Sequence, residues 1–372
     1  MNKRLLFYIP TLEGGGAERV LLNLIAKLDK ERFDIHLCVL SNRISLYKDI
    51  PDKVEHTILF KSKSAWFIAR FYQKYLKSDF IFKKQIQYRL NLDYDSVICF
   101  MDGEFTSLLD YFPLSKKITW VHSSYTDNPK YRKKISVIGL KKMKRSYNKL
   151  DHIIFVSHQT RIDFSKVFGE YENMSVIYNI IYNEKLRYAI NNQNKTKPTN
   201  NIFTFIAVGR LIPIKGFDRL IRVAKKLKDN NYIFNIKILG SGIAYHNLAQ
   251  MITNYCLEQY VELLLFKKNP YEYMYNADAF VLSSIVEGLP TAMCEAFILG
   301  LPVITTKCSG ATELVENGKY GLMAEQDDES LFIAMKSFMD DHSLYEKFAC
   351  RSKERALIFK EKDVLNKIEK IL

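Results

Sequence analysis

The sequence predicts an α/β protein of two parallel-sheet halves facing each other across a cleft, and three observations carry that reading. The chain has 372 residues, 48% of them apolar and 26% charged, enough for two domains of ordinary size, each with a core of its own. Short apolar runs alternate with amphipathic helical patterns, the mark of βαβ units and therefore of parallel strands. The alternation lapses once, over the polar stretch 189–201 (Ala-Ile-Asn-Asn-Gln-Asn-Lys-Thr-Lys-Pro-Thr-Asn-Asn), which reads as a linker or exposed loop, and then begins again.

In the first half, apolar runs predict strands over 5–10, 35–40, 96–101, 117–121 and 152–157. A helix is predicted over 17–28, where Val20, Leu21, Leu24, Ile25 and Leu28 recur at the spacing that places apolar side chains on one face. In the second half, strands are predicted over 203–208, 234–239, 261–266, 278–283 and 302–306, with helices over 217–228 and 245–256. Residues 330–372 are helical in pattern and lysine-rich. The expected domains are 1–185 and 186–355, with a C-terminal helix over 356–372 packing back on the first.

Charge is unevenly spread. The formal net charge is +14, and residues 1–185 hold 31 Lys/Arg against 20 Asp/Glu, whereas 186–372 hold 24 against 21. Two segments concentrate it. Residues 61–90 mix eight basic residues with Trp66, Phe67, Phe71, Tyr72, Tyr75, Phe80, Phe82 and Tyr88, against the single acid Asp79. Residues 130–149 hold nine basic residues and no acid. Basic side chains interleaved with aromatics suit an anionic membrane surface or a nucleic acid; the plainer reading is a solvated helix face with aromatics turned inward. Two such segments in one half favour the membrane surface. No apolar run approaches the ~18 residues a membrane span needs, and residues 1–12 read as a first strand rather than a signal peptide. The six cysteines are scattered without metal-ligand or redox spacing, as buried thiols of a reducing cytoplasm would be.

The chemistry concentrates at strand ends. The stretch from Ser283 to Ala296 follows an apolar strand and opens a helix. It holds Glu287 in a turn set by Gly288 and Pro290, and Glu295 about two helical turns further on. Backbone N–H groups at the helix start favour an anion, and two carboxylates beside them can accept hydrogen bonds from sugar hydroxyls. That combination fits a nucleotide-sugar better than a bare phosphate or a dinucleotide. After the 203–208 strand, Arg210 and Lys215 lie five apart around a turn containing Pro213, a fork and a point charge able to clamp a diphosphate. Gly14-Gly15-Gly16-Ala17-Glu18-Arg19 follows the first strand; its glycines let backbone N–H groups approach a phosphate, but the third glycine of the dinucleotide fingerprint is missing. Gly240-Ser241-Gly242 and Ser309-Gly310-Ala311-Thr312-Glu313 are further turns, each suited to a ligand edge or to a plain bend. His122 ends the 117–121 strand, where a structural histidine is the plainer reading. Asp93-Tyr94-Asp95 precedes a strand and lies at the wrong end of the sheet, so it reads as a solvated turn and no metal site is expected.

Taken in order, these residues resemble glycosyltransferase family 4, retaining sugar transferases of the GT-B fold, in particular those of bacterial surface-polysaccharide assembly. The matching text is Val208-Gly209-Arg210 through Lys215-Gly216, Gly240 to Gly242, Asn276-Ala277-Asp278, Glu287 and Glu295 as the family's Glu-x7-Glu, Leu301-Pro302-Val303, and Ser309-Gly310 through Glu313, with Gly14 to Arg19 and His122 in the first half. The resemblance implies two Rossmann-like domains across a cleft and roles for named residues. Arg210 and Lys215 would neutralise the donor diphosphate. Glu287 would touch the hydroxyls of the transferred sugar, Glu295 the ribose. Gly288, Leu289, Pro290 and Thr291 would line the donor, Gly15 and Gly16 would approach its phosphate, and His122 would line the reaction centre. The nucleobase would lie by residues 266–268, which depart from the family's glycine-containing form. Asp102 is the candidate acceptor contact.

The implied reaction moves a hexosyl or N-acetylhexosaminyl unit from a UDP- or GDP-sugar, with uridine favoured, to a polyprenyl-diphosphate-linked saccharide, as in O-antigen or capsule synthesis. It needs no metal or other cofactor and no nucleic acid. The expected location is the cytoplasmic face of the inner membrane, held peripherally. A sugar-nucleotide epimerase of the same shape, or a non-catalytic basic protein binding nucleic acid, would each leave Glu287 and Glu295 without a use.

Overall fold

The structure, a computed structural model, describes residues 2–126, 137–182, 184–191 and 202–372. The chain divides into two compact units, Met1–Ile180 with Lys362–Leu372, and Ile181–Glu361.

The first unit is a seven-stranded parallel sheet in the order β3-β2-β1-β4-β5-β6-β7. Its strands are Lys3–Ile9 (β1), Phe33–Val39 (β2), Glu55–Ile58 (β3), Ser96–Cys99 (β4), Lys116–Val121 (β5), His152–Phe155 (β6) and Met174–Val176 (β7). The interleaved helices are Gly16–Lys27 (α1), Lys63–Tyr75 (α2), Phe80–Arg89 (α3), Val137–Tyr147 (α4) and His158–Phe168 (α5). Strands covered on both faces read as unbroken apolar runs, as β1 and β4 do. β3 and β7 give no such signal: they are three- or four-residue edge strands whose side chains are exposed or half-exposed.

The second unit is a six-stranded parallel sheet in the order β10-β9-β8-β11-β12-β13. Its strands are Phe203–Val208 (β8), Phe234–Leu239 (β9), Val261–Leu264 (β10), Ala279–Leu282 (β11), Val303–Thr306 (β12) and Leu322–Ala324 (β13). The helices are Glu184–Asn191 (α6), Phe217–Asp229 (α7), Tyr245–Asn254 (α8), Tyr271–Tyr275 (α9), Thr291–Ile298 (α10), Ser309–Leu314 (α11), Asp328–Asp340 (α12) and His342–Ala356 (α13). Ala189, Ile190 and Asn191, expected in a linker, end helix α6 instead. The remaining linker residues, 192–201, lie outside the described residues, as do 130–136 of the second basic segment.

Each sheet starts in the middle, grows outward to one side for three strands, then returns to the centre and grows to the other. Loops leaving the first and fourth strands therefore turn in opposite directions, and ligands of such sheets sit in the crevice this reversal leaves beyond the carboxyl ends. The reversal falls between β1 and β4 in the first unit and between β8 and β11 in the second.

The last helix, Glu361–Ile371 (α14), belongs to the first unit from Lys362 onward. It closes the amino end of that sheet. Ser96 Oγ donates to the Leu372 carbonyl at 3.1 Å, Lys116 Nζ to that of Ile371 at 2.6 Å, and Arg32 pairs with Glu369 at 2.5 Å. Val364, Ile368 and Leu372 are buried along one face. Truncating Ile368 to Ala removes three buried carbons from this seam. We expect a loss of about 2–4 kcal/mol of unfolding free energy, read as a lower urea midpoint; a midpoint equal to wild type would contradict a packed role for the helix.

Candidate active site

In the second unit, the two loops at the strand-order reversal hold the predicted cations and carboxylate. From β8 the chain passes Gly209 and Arg210, makes a short 3-10 turn over Pro213–Lys215, and enters α7 through Gly216. From β11 it passes Ser283 to Pro290 and enters α10. The two loops are bonded to each other: Ile285 N–H donates to the Ile214 carbonyl at 2.9 Å, and the Ser283 side-chain Oγ to that of Lys215 at 3.0 Å. Gly216 makes this possible. It lies at φ +63°, and a Cβ there would stand 2.1 Å from the Ser283 carbonyl oxygen. Gly310 plays a similar part beneath: a Cβ would stand 2.0 Å from the Gly288 oxygen, and its own N–H donates to the Glu287 carbonyl at 3.2 Å. The glycines of Gly240-Ser241-Gly242 are likewise explained by packing, against the backbone of Gly209 and Leu211.

This crossing brings Lys215 and Glu287 together. Lys215 Nζ lies 2.6 Å from Glu287 Oε1, and Ser284 Oγ donates to the same oxygen at 2.6 Å. Glu287 is nearly buried, and the ammonium and the hydroxyl orient its carboxylate. An ammonium carries three N–H donors, so one bond to Glu287 leaves two for a ligand. Arg210 is exposed, and among the described residues its guanidinium has no partner. Thr291 opens α10, so its N–H has no acceptor within the helix. Pro290, named with the donor-lining residues, has no N–H, so its contribution is to shape the turn. Glu295 faces a different partner, accepting from Tyr271 Oη at 3.0 Å. Leu265 and Phe266, beyond β10, are exposed.

The first unit places Gly15, Gly16 and Asp102 at its own reversal point, and His122 beyond β5, the next strand out. Gly15 is the N-cap of α1, but its N–H is taken: Glu18 Oε2 accepts from Gly14 N at 2.7 Å and Gly15 N at 2.6 Å, while Oε1 accepts from Thr11 Oγ1. Gly16 is the exposed glycine of the three. Asp102 Oδ2 accepts from Tyr147 Oη at 3.0 Å and from Tyr125 Oη. His122 packs against Phe100, ring centroids 4.8 Å apart, and stacks at 19° to Trp120. One ring nitrogen bonds the Phe100 carbonyl, while Nε2 is buried with no partner among the described residues. Asp93 and Asp95 are used on Arg4, through an ion pair at 3.5 Å and a backbone bond at 2.7 Å.

Ser284 stood in the sequence stretch already singled out, and Glu18 stood at the third helical position, where a carboxylate reaches back to the N-cap. Nothing local distinguishes Tyr271, Tyr125 or Tyr147, which reach Glu295 and Asp102 only through the fold.

Two doubly wound parallel units with functional side chains at their reversal points are the architecture of the GT-B glycosyltransferases, and comparison with known proteins agrees. Residues 14–185 match the model "Glycosyltransferase Family 4" and residues 189–355 match "Glycosyl transferases group 1". The chain belongs to glycosyltransferase family 4 and is a glycosyltransferase. It is 28% identical, over 96% of both chains, to N-acetylgalactosamine-N,N'-diacetylbacillosaminyl-diphospho-undecaprenol 4-alpha-N-acetylgalactosaminyltransferase of Campylobacter jejuni. It is 36% identical over 160 residues, 40% of this chain and 39% of the other, to the putative colanic acid biosynthesis glycosyltransferase WcaL of Salmonella typhimurium. Among solved structures, HepE of Anabaena in complex with UDP shares the fold at a TM-score of 0.76 with 19% identity, covering 100% of this chain and 99% of that one. TarM of S. aureus, solved with UDP and saccharide ligands, does so at 0.76 with 15% identity and 99% coverage of both.

Burial pushes the His122 imidazole down from 6.5 to about 3. An imidazole depressed in the fold is neutral where the unfolded chain already takes a proton. Its contribution to stability is therefore present above 6.5 and is lost as pH falls from there toward 3. Urea midpoints from pH 7.5 down to 4.5 should fall more steeply for wild type than for His122→Gln; parallel profiles would show that His122 is not held neutral.

Proposed function

We propose that this protein is a retaining glycosyltransferase that moves a hexosyl or N-acetylhexosaminyl unit from a UDP-sugar to a polyprenyl-diphosphate-linked saccharide, in bacterial O-antigen, capsule or related polysaccharide synthesis. The observation that carries it is the meeting of Lys215 with Glu287 at the strand-order reversal, beside an unpartnered Arg210. A departing nucleoside diphosphate gains negative charge while the sugar gains positive charge. Arg210, the two remaining N–H donors of Lys215 and the N-terminus of α10 answer the first; the Glu287 carboxylate answers the sugar and its hydroxyls. In this reading those groups make a metal unnecessary. The bond from the anomeric carbon to the phosphate oxygen breaks and one to the acceptor oxygen forms on the same face. The acceptor's proton passes to the departing phosphate oxygen, so no protein base is required.

Glu295 would hold the ribose, steadied by Tyr271. Gly16 would face the donor phosphate, with Gly15 shaping its approach. His122, neutral, would line the reaction centre near the sugar. Asp102, anchored by two phenols, would contact the acceptor. UDP is favoured over GDP because the fold's neighbours HepE and TarM were solved with it, and a lipid-linked acceptor because the Campylobacter relative is named for one.

A peripheral place on the cytoplasmic face of the inner membrane draws support from helix α2. Its inner face packs Ala69 and Trp66 on the core, yet its outer face carries Phe67, Phe71 and Tyr75 one helical turn apart, 73%, 48% and 62% exposed, flanked by Ile68, Tyr72 and Leu76. Lysines 63, 74 and 77 border them. Asp79, the one acid of this segment, is buried in an ion pair with Lys142 of α4 at 2.8 Å, which binds the two basic segments together. An outward apolar stripe rimmed by cations suits an anionic lipid surface better than water.

Nucleotide release should be followed for a panel of UDP- and GDP-sugars in EDTA, with and without bacterial lipid extract. The expected result is lipid-stimulated release from one UDP-sugar, with kcat/KM lowered about 100-fold or more in Glu287→Ala and Arg210→Ala. Release abolished by EDTA, or unchanged in both variants, would overturn the mechanism. Separately, replacing Phe67, Phe71 and Tyr75 by Ser should abolish sedimentation with phosphatidylglycerol/phosphatidylethanolamine vesicles while leaving UDP affinity unchanged; undiminished sedimentation would refute the lipid surface.

A further inference from the structure

The loop that presents Glu287 is neither helix nor strand, so its backbone carbonyls need partners from elsewhere. Three successive ones find side-chain donors from three different elements. The Ser283 carbonyl accepts from Arg219 Nη1 of α7 at 3.1 Å. The Ser284 carbonyl accepts from Thr306 Oγ1, at the end of β12, at 2.6 Å and from Gln326 Nε2, beyond β13, at 3.2 Å. The Ile285 carbonyl accepts from the same Gln326 nitrogen at 3.2 Å, which also reaches the Lys307 carbonyl at 2.9 Å. Arg219 then holds Gln326 in place, its Nη2 donating to the Gln326 carbonyl at 3.0 Å. Thr306 is fully buried. None of these residues was singled out by the sequence.

From this geometry we infer that Arg219, Thr306 and Gln326 are positioning residues that set the sugar-facing carboxylate of Glu287. The path is short. They fix the backbone from Ser283 to Ile285, and Ser284 Oγ fixes Glu287 Oε1 at 2.6 Å. The loop's backbone bonds to its neighbours, Ile285 N–H to the Ile214 carbonyl and Gly310 N–H to the Glu287 carbonyl, leave the Ser283, Ser284 and Ile285 carbonyls to these side chains. A carboxylate displaced by about 1 Å loses most of its value to a reacting sugar, on the order of 100-fold in rate. The inference rests on the donor reading proposed above and deepens it: Glu287 recognises the sugar, while Arg210 and Lys215 recognise the diphosphate. Disturbing the clamp should therefore harm recognition of the sugar and spare recognition of the nucleotide.

The test compares Gln326→Glu and Thr306→Val with wild type. The first keeps size but sets an acceptor against three carbonyls; the second removes a hydroxyl at constant shape. Thermal melts first establish that each variant is folded. Affinities are then measured for UDP and for UDP-glucose, UDP-galactose, UDP-N-acetylglucosamine and UDP-N-acetylgalactosamine. The expected result is UDP affinity within about twofold of wild type, with the gain in affinity that wild type shows for its preferred UDP-sugar over UDP reduced about tenfold and kcat falling more than KM rises. Gln326→Asn, which keeps the donors on a shorter arm, should recover part of the gain. Folded variants that keep the wild-type preference, or lose UDP and UDP-sugar affinity in equal measure, would overturn the positioning role. A wild type that binds UDP but none of the four sugars more tightly than UDP overturns it too; one that binds no nucleotide refutes the donor reading itself.

Discussion

The contact between Lys215 Nζ and Glu287 Oε1, at 2.6 Å, is the interaction on which the rest of the site depends. It exists because two loops that leave adjacent strands in opposite directions are made to cross. Each loop alone would carry a solvated charge of no particular geometry. Joined, they set a nearly buried carboxylate against an ammonium whose other N–H donors have no partner among the described residues. The crossing in turn depends on Gly216, where the Ser283 carbonyl occupies the space a side chain would need, and on Gly310, which does the same for Gly288. The glycines at this crossing are thus packing devices that let backbone meet backbone.

The first unit repeats the plan with a different solution. There too the loops after the first and fourth strands hold the polar groups, but the carboxylate at the start of α1, Glu18, turns inward to hold the glycine loop. The acid beyond β4, Asp102, is tied to two buried tyrosines, and the histidine beyond β5 is kept neutral by its aromatic surroundings. One doubly wound sheet has been used to bring a cation to a nearly buried carboxylate, the other to restrain an acid and a neutral imidazole.

Much of this was legible in the sequence, for a physical reason. Buried strands carry their apolar side chains in runs or in alternation, so β8 and β9 were found to the residue at 203–208 and 234–239. Strand ends are where polar residues break those runs, so Arg210, Lys215 and Glu287 stood out together. What could not be read depends on distance along the chain. The edge strands β3, β7 and β13 are too short to show a period. The pairing of Lys215 with Glu287, the tyrosines on Asp102 and Glu295, and the three side chains behind the Ser283–Ile285 backbone join residues tens of positions apart, and no local pattern announces them. The partner of one glycine was likewise not legible: Gly15, expected near a phosphate, gives its N–H to Glu18.

The most direct test of the central claim is a double-mutant cycle on UDP affinity with Lys215→Met, Glu287→Gln and the pair, followed by calorimetry at constant salt. If Lys215 is shared between Glu287 and the diphosphate, losing Glu287 releases the ammonium to the ligand and the two effects do not add: Glu287→Gln improves UDP binding in the presence of Lys215 and has no effect in its absence. Strictly additive effects, or a Glu287→Gln loss that is the same with and without Lys215, would mean that the two residues act apart and that their contact does not organise the site.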